Sequence, residues 1–144
     1  MIDTTTLFDS AVDHYVRHRL PYPPEMVADI VRRFSLEDGV GRVLDIGCGP
    51  GPLTFSLHDL GVSVTGIEPN APMLAAARRR AVEIGADIPF VNKTAEAVGP
   101  EDGPARVALF GRSFHWTDRA LVLDRLDGVP ERGGGVVTVH EDTR

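Results

Sequence analysis

The stretch RVLDIGCGPGPLTFSL, residues 42–57, constrains the fold more than any other part of the chain. It begins with RVLDI (42–46), a short, mostly apolar, β-prone run that reads as a buried strand with one acid, Asp45, inside it. GCGPG follows. Pro52 then opens a helical pattern that places Leu53, Leu57 and Leu60 on one face, with Gly61 as its stop. A turn of this kind brings backbone close to a ligand. Gly47, Gly49 and Gly51 permit positive backbone angles and remove the Cβ atoms that would stand in the way. The helix start beyond them offers free N–H groups.

The rest of the chain repeats the alternation. PPEMVADIVRRF has Met26, Ile30 and Phe34 at spacing four, with Val27 and Val31 beside them, which predicts a helix with one apolar face. VSVTGIE (62–68) alternates and predicts the second strand. Asn70 is an N-cap for a helix whose inner face is Met73, Ala77, Ala81 and Ile84, ending at Gly85. IPFVN (88–92) is a third short strand, TAEAVGPEDG (94–103) a loop with one helical turn, and ARVALFG (105–111) a fourth strand. A helix follows over 117–128, capped by Thr117 with Val122, Leu123 and Leu126 inward, and GGGVVTVH (133–140) is the fifth strand. Strands alternating with helices imply an α/β domain: a doubly wound parallel sheet of about five strands with helices on both faces. Ligands of such sheets bind beyond the carboxyl ends of the strands, where strand order reverses. That point is GCGPG.

Three ligand classes compete for the glycine turn. A nucleoside triphosphate loop ends in Gly-Lys-Ser or Gly-Lys-Thr, whereas this loop continues Gly-Pro-Leu-Thr and the only lysine is Lys93. A dinucleotide turn has G-x-G-x-x-G spacing and uses amides for pyrophosphate. Here the spacing is G-x-G-x-G, and Pro50 and Pro52 lack amide donors. The third class is a nucleoside with a zwitterionic tail and no phosphate, S-adenosyl-L-methionine. Glu68 ends the second strand about twenty residues past the loop, where an acid accepts hydrogen bonds from ribose hydroxyls. The alternative for Glu68 is an acid that favours the dipole of the next helix.

Composition narrows the partners. A chain of 144 residues suits one domain, and the formal net charge of -6 disfavours a nucleic-acid partner, which calls for a basic face. Arg78, Arg79 and Arg80 fan around a helix and read as a solvated face. Cys48 is the one cysteine, so an intrachain disulfide is excluded and a reducing compartment expected. The first residues, MIDTTTLFDSAVDHY, have neither the basic start nor the apolar core of a signal peptide. Apolar runs fall short of the roughly 20 residues that span a bilayer. The expectation is a cytoplasmic protein with no membrane partner. His14, His18, His58 and His140 lack metal-ligand spacing, and no metal is expected.

These motifs, in this order, resemble those of the class I S-adenosylmethionine-dependent methyltransferases, of the small-molecule kind called methyltransferase type 11. VLDIGCGPG is similar to the family's first motif and VTGIEPNAPMLAAARRRA to its second. KTAEAV resembles the segment after the third strand, GRSFHWTDRALVLDRL a motif after the fourth, and GGGVVTV the fifth strand. VDHYVRHRLPYPPEMV is similar to the Y-x-x-x-R-x-PYP leader of a subgroup that carries FHW. The resemblance implies a Rossmann-like core over 40–140 with a helical leader over 8–34, together one cofactor-binding domain over 1–144. It implies methyl transfer by in-line displacement to a small-molecule acceptor.

It also implies site residues. Gly47, Cys48 and Gly49 would meet the methionine part through backbone, and Gly51 would also belong to the cofactor-binding set. Asp45 would help hold its amino group, the alternative being that Asp45 braces the loop. Glu68, with Pro69, would take the ribose. Glu96, with the Ala95 backbone, would meet the adenine edge, unless Glu96 is a solvated loop acid. Arg112 and Ser113 would flank the methionine tail. Tyr15 and Arg19, four apart, would lid the site and pair the ligand carboxylate, or simply pack. Cys48 has no locally paired His or Asp and reads as a small residue at a crowded turn rather than a nucleophile. His115 is the candidate base where the acceptor must lose a proton, and its alternative is a bond to loop backbone. Trp116 beside it would cover the ligand or join the core.

Members of the family continue past the fifth strand with a helix and an antiparallel hairpin, whereas this sequence ends at HEDTR. VVTV would then show an apolar edge. Three readings follow: a truncated product, a split gene whose other half supplies the missing strands, or a dimer that pairs through this edge. The competing reading of function is a cofactor-binding remnant, or half of a split methyltransferase, without activity of its own.

Overall fold

The computed structural model describes residues 22–111, 119–126 and 129–139. Helix α1 (Pro24–Arg33) leads into β1 (Arg42–Ile46), α2 (Pro52–Asp59), β2 (Ser63–Ile67), α3 (Ala71–Ile84) and β3 (Phe90–Val91). Two 3₁₀ turns, Ala95–Ala97 and Pro100–Asp102, connect to β4 (Ala105–Phe110), α4 (Arg119–Leu126) and β5 (Pro130–Thr138). All strand pairs are parallel, in the order β3-β2-β1-β4-β5. Strand order therefore reverses beside β1, and the glycine turn that leaves β1 sits at the switch point.

The period-two alternation of the strands divides the core into two layers. Val43, Val64, Val107 and Leu109 face the side covered by α1, α2 and α3, where Val27, Ile30, Val31, Leu53, Leu57, Leu74, Ala77 and Ala81 are buried. Leu44, Ile46, Ile67, Ala108 and Phe110 face the side covered by α4 and the 3₁₀ turns, through Val122, Leu126, Ala95 and Val98. Each fully buried Val, Leu or Ile contributes about 1.5–3 kcal/mol of transfer free energy. The sheet centre is thus the most stable part of the fold.

The helix ends follow local chemistry. Asn70 caps α3 by accepting from the Met73 amide at 3.0 Å, and Gly85 ends that helix with φ 67°. Gly61, with φ 82°, ends α2. Three inward assignments change. Leu60 is 46% exposed because it falls on the residue that closes α2, where the chain turns away. In α3 the buried face is Leu74, Ala77 and Ala81, while Ile84 is 46% exposed and Met73 half-buried. A shift of one residue turns a helix by about 100°, and the alanines fit either face. Strand β5 begins at Pro130, three residues before the expected start. The segment over 94–103 forms two short 3₁₀ turns rather than one helical turn. Leu123 and Thr117 lie outside the residues whose side chains are described.

Candidate cofactor site at the glycine turn

The turn leaving β1 is built against β2. The Gly47 and Cys48 amides both donate to the Ile67 carbonyl, at 2.7 and 3.0 Å. The Gly49 amide donates to Glu68 Oε1 at 2.8 Å, and the Gly51 amide returns to the Cys48 carbonyl at 3.1 Å. Gly47, Gly49 and Gly51 have φ of 72°, 59° and 95°, all in the region that favours glycine. At Gly51 a Cβ would also stand 2.8 Å from the Phe55 ring. That ring is hemmed in by Phe90, at 6.2 Å between centroids, and by the Arg80 guanidinium 5.5 Å above it.

Two carboxylates lie under this turn. Asp45 projects from β1 toward the α2 side and is 1% exposed. It accepts from the Thr54 hydroxyl at 2.5 Å. Glu68, 7% exposed, follows β2. Its two oxygens accept from the Gly49 and Asn70 amides, each at 2.8 Å. Glu68 therefore ties the glycine turn to the start of α3. Cys48, 6% exposed, lies among these groups. Burial pushes its thiol far above the ordinary range, and the Asp45 and Glu68 charges push it further. A thiol held protonated is a poor nucleophile, which agrees with the reading of Cys48 as a packing residue. Gly66 makes room for it: a Cβ there would stand 3.0 Å from Cys48 Sγ and 2.6 Å from the Phe90 ring.

The donor pattern weighs against a phosphate bound at the Gly47–Gly49 amides. The Gly47, Cys48 and Gly49 amides already donate to protein acceptors, and two acids lie beneath them. An incoming phosphate would meet negative charge and amides that are engaged. A cation would meet carboxylates in a low-dielectric setting, where attraction is strong. The site's chemistry fits a ligand with a positive head and ribose hydroxyls.

Of the other expected residues, Pro69 follows Glu68 and its carbonyl accepts from Asn92 at 3.0 Å. Ala95 is buried and Glu96 half-buried on the first 3₁₀ turn. Tyr15, Arg19, Arg112, Ser113, His115 and Trp116 lie outside the described residues. Two residues escape a reading of the sequence. Thr54 is the hydroxyl partner of Asp45. Tyr22, 6% exposed, carries the leader to the carboxyl end of β4, where a Cβ on Gly111 would stand 2.5 Å from its phenol oxygen. The PYP triplet is the available signal for Tyr22. Among the described residues, no group of three or more His, Cys, Asp or Glu is placed to hold a metal. None of the described helices is long and apolar enough to cross a membrane.

Known proteins resemble this chain in sequence and fold. A family model described as a methyltransferase domain matches residues 43–134. An uncharacterized methyltransferase of Mycobacterium tuberculosis is 32% identical over 144 residues, which is 99% of this chain and 56% of that protein. The chain thus spans about half the length of the curated relative it matches along its whole extent. A ubiquinone biosynthesis O-methyltransferase of Rhodopseudomonas palustris is 43% identical over 84 residues, 58% of this chain and 33% of that protein. Among solved structures, a methyltransferase from Thiobacillus denitrificans in complex with S-adenosyl-L-homocysteine has a TM-score of 0.66 and 29% identity, covering 86% of this chain and 52% of that one. A glycopeptide N-methyltransferase, MtfA, complexed with S-adenosyl-L-methionine has a TM-score of 0.63 and 26% identity, covering 77% and 48%. The glycine turn at the switch point, the acid after β2 and these matches agree: the chain belongs to the class I S-adenosylmethionine-dependent methyltransferase family.

Proposed function

We propose that the chain binds S-adenosyl-L-methionine at the carboxyl ends of β1 and β2 and serves methyl transfer to a small-molecule acceptor. The observation that carries the proposal is the pair of buried carboxylates, Asp45 and Glu68, beneath a glycine turn whose amides already donate to protein acceptors. When bound, S-adenosyl-L-methionine supplies a methyl group on a positively charged sulfur that is already an activated leaving group. Asp45 holds the ammonium of the amino-acid tail. Glu68 takes the ribose hydroxyls while keeping its two amide donors, because a carboxylate offers about four acceptor positions. Ala95 and Glu96 meet the base.

For an in-line displacement the protein has to align acceptor and methyl and exclude water. The buried glycine turn supplies one wall of such a site. A base is needed only where the acceptor carries a proton to remove, and His115 is the residue assigned to that task. Titration calorimetry with S-adenosyl-L-methionine and S-adenosyl-L-homocysteine tests the proposal. Saturable heat with both, and none with NADH, is expected. Absence of heat with both cofactor forms overturns it.

A further inference from the structure

Asp45 is placed by a residue that the glycine motif does not include. We infer that Thr54 is a positioning residue: its hydroxyl sets the Asp45 carboxylate for the ammonium of the cofactor. Thr54 is the third residue of α2, fully buried, and its hydroxyl donates to Asp45 Oδ2 at 2.5 Å. Helical side chains lean toward the helix N-terminus, so a short side chain here reaches back under the turn.

The chemistry favours a hydroxyl over an amide or a cation. A carboxylate inside an apolar strand is costly without donors. A lysine or arginine would neutralise it and compete with an ammonium ligand. A hydroxyl donates one hydrogen bond, orients the carboxylate plane and leaves its negative charge in place. Acceptor capacity is not the limit, since an ionised carboxylate has about four lone-pair positions. Threonine adds stiffness, because its branched Cβ restricts χ1. The Asp45–Thr54 pair is therefore a charged acceptor held by a neutral, rotationally restricted donor.

This inference rests on the proposal that Asp45 meets the amino-acid tail, and the test separates the two. The probes are S-adenosyl-L-homocysteine and 5′-methylthioadenosine, which has the same nucleoside but no amino-acid tail. Calorimetry on the full chain compares Thr54→Val, Thr54→Ser and Asp45→Asn. Thr54→Val is expected to weaken S-adenosyl-L-homocysteine about tenfold, the scale of a hydrogen bond to a charged group, with methylthioadenosine nearly unchanged. Thr54→Ser should restore the wild-type ratio of the two affinities. Equal weakening of both probes, or no weakening of either, overturns the positioning role when Asp45→Asn loses selectivity for the tailed ligand. If Asp45→Asn also binds both probes as the wild type does, the reading of Asp45 itself fails. Should the valine variant not fold, Thr54→Cys keeps the size with a weaker donor. Its affinity ratio is expected to fall between valine and threonine, and a wild-type ratio overturns the inference.

Discussion

Asp45 and Glu68 beneath the glycine turn, and Glu101 and Asp102 on the turn before β4, are two carboxylate pairs held in different ways. The second pair is matched by cations. Lys93 Nζ lies 2.7 Å from Asp102 and 3.6 Å from Glu101, and Arg125 lies 2.7 Å from Glu101. Arg125 also donates to the Ala97 carbonyl at 3.1 Å, which joins α4 to the first 3₁₀ turn. The first pair accepts from a hydroxyl and from backbone amides. Neutral donors stabilise a carboxylate without cancelling its charge. One cluster is thus held through ion pairs between elements; the other is the pair that the proposed function assigns to a cationic ligand.

The contrast is sharpest at Glu68. Glu68→Ala removes the acceptor of two backbone amides, and each buried amide left unpaired costs about 1–3 kcal/mol. This substitution is expected to lower thermal stability more than any other change at either cluster, with loss of S-adenosyl-L-homocysteine binding. Glu68→Gln keeps one acceptor oxygen and should fall between the two in a denaturant melt. A melt of Glu68→Ala that matches the wild type would break the account of Glu68 as a tie.

Next in size is Gly51→Ala. The change forces an L-residue into φ 95° and drives a methyl into the Phe55 ring. Backbone strain of this kind costs about 1–3 kcal/mol. Cofactor affinity should drop more than stability, because the strain falls on the turn and not on the sheet. Calorimetry and a thermal melt of the same sample give the two numbers to compare.

Smallest is Lys93→Met. The ion pair it breaks is partly exposed and worth less than about 1 kcal/mol, and cofactor affinity should not change. Its pH signature is nevertheless specific. The hydrogen bond to Asp102, then the charges of Asp102 and Glu101, raise the Lys93 pKa above its ordinary value. That contribution is fully present below the unfolded lysine value, about 10.4, and is lost as pH rises through the higher folded value. Glu101 has the opposite sign. Its own backbone amide, then Arg125 and Lys93, lower its pKa. Its contribution is present above the unfolded carboxylate value and lost as pH falls through the lower folded one. Wild type should therefore lose this stabilisation at both ends of the pH range, and Lys93→Met should lack the alkaline fall.

Much of this can be read from sequence because it is local. The period-two strands, the glycine turn, the cap at Asn70 and the stops at Gly61 and Gly85 depend on residues a few positions apart. The acid after β2 is legible because parallel alternation brings the ends of β1 and β2 together. What the sequence does not reveal depends on packing. Thr54 is nine residues from Asp45, and only the seating of α2 on the β1 face brings them into contact. The tie between Glu68 and Gly49 crosses nineteen positions. The inner face of α3 differs from its expected one because alanine fits a buried or an exposed position equally, so the pattern cannot choose between Met73 and Leu74. Gly66 looks like an interruption of a strand, and its reason, the Phe90 ring and the Cys48 sulfur, lies on other segments.

The burial of Cys48 has a practical consequence. It is the chain's one thiol, it lies in the glycine turn, and its protonated state is favoured by burial and by two nearby acids. Reaction with a thiol reagent must wait until the turn opens and the thiol ionises. The rate of that reaction is then a clock for opening at the cofactor site, read without any engineered label. S-adenosyl-L-homocysteine should slow the clock in proportion to its occupancy, whereas replacing the Lys93 side chain, which pairs with Glu101 and Asp102, should leave it running at the same rate.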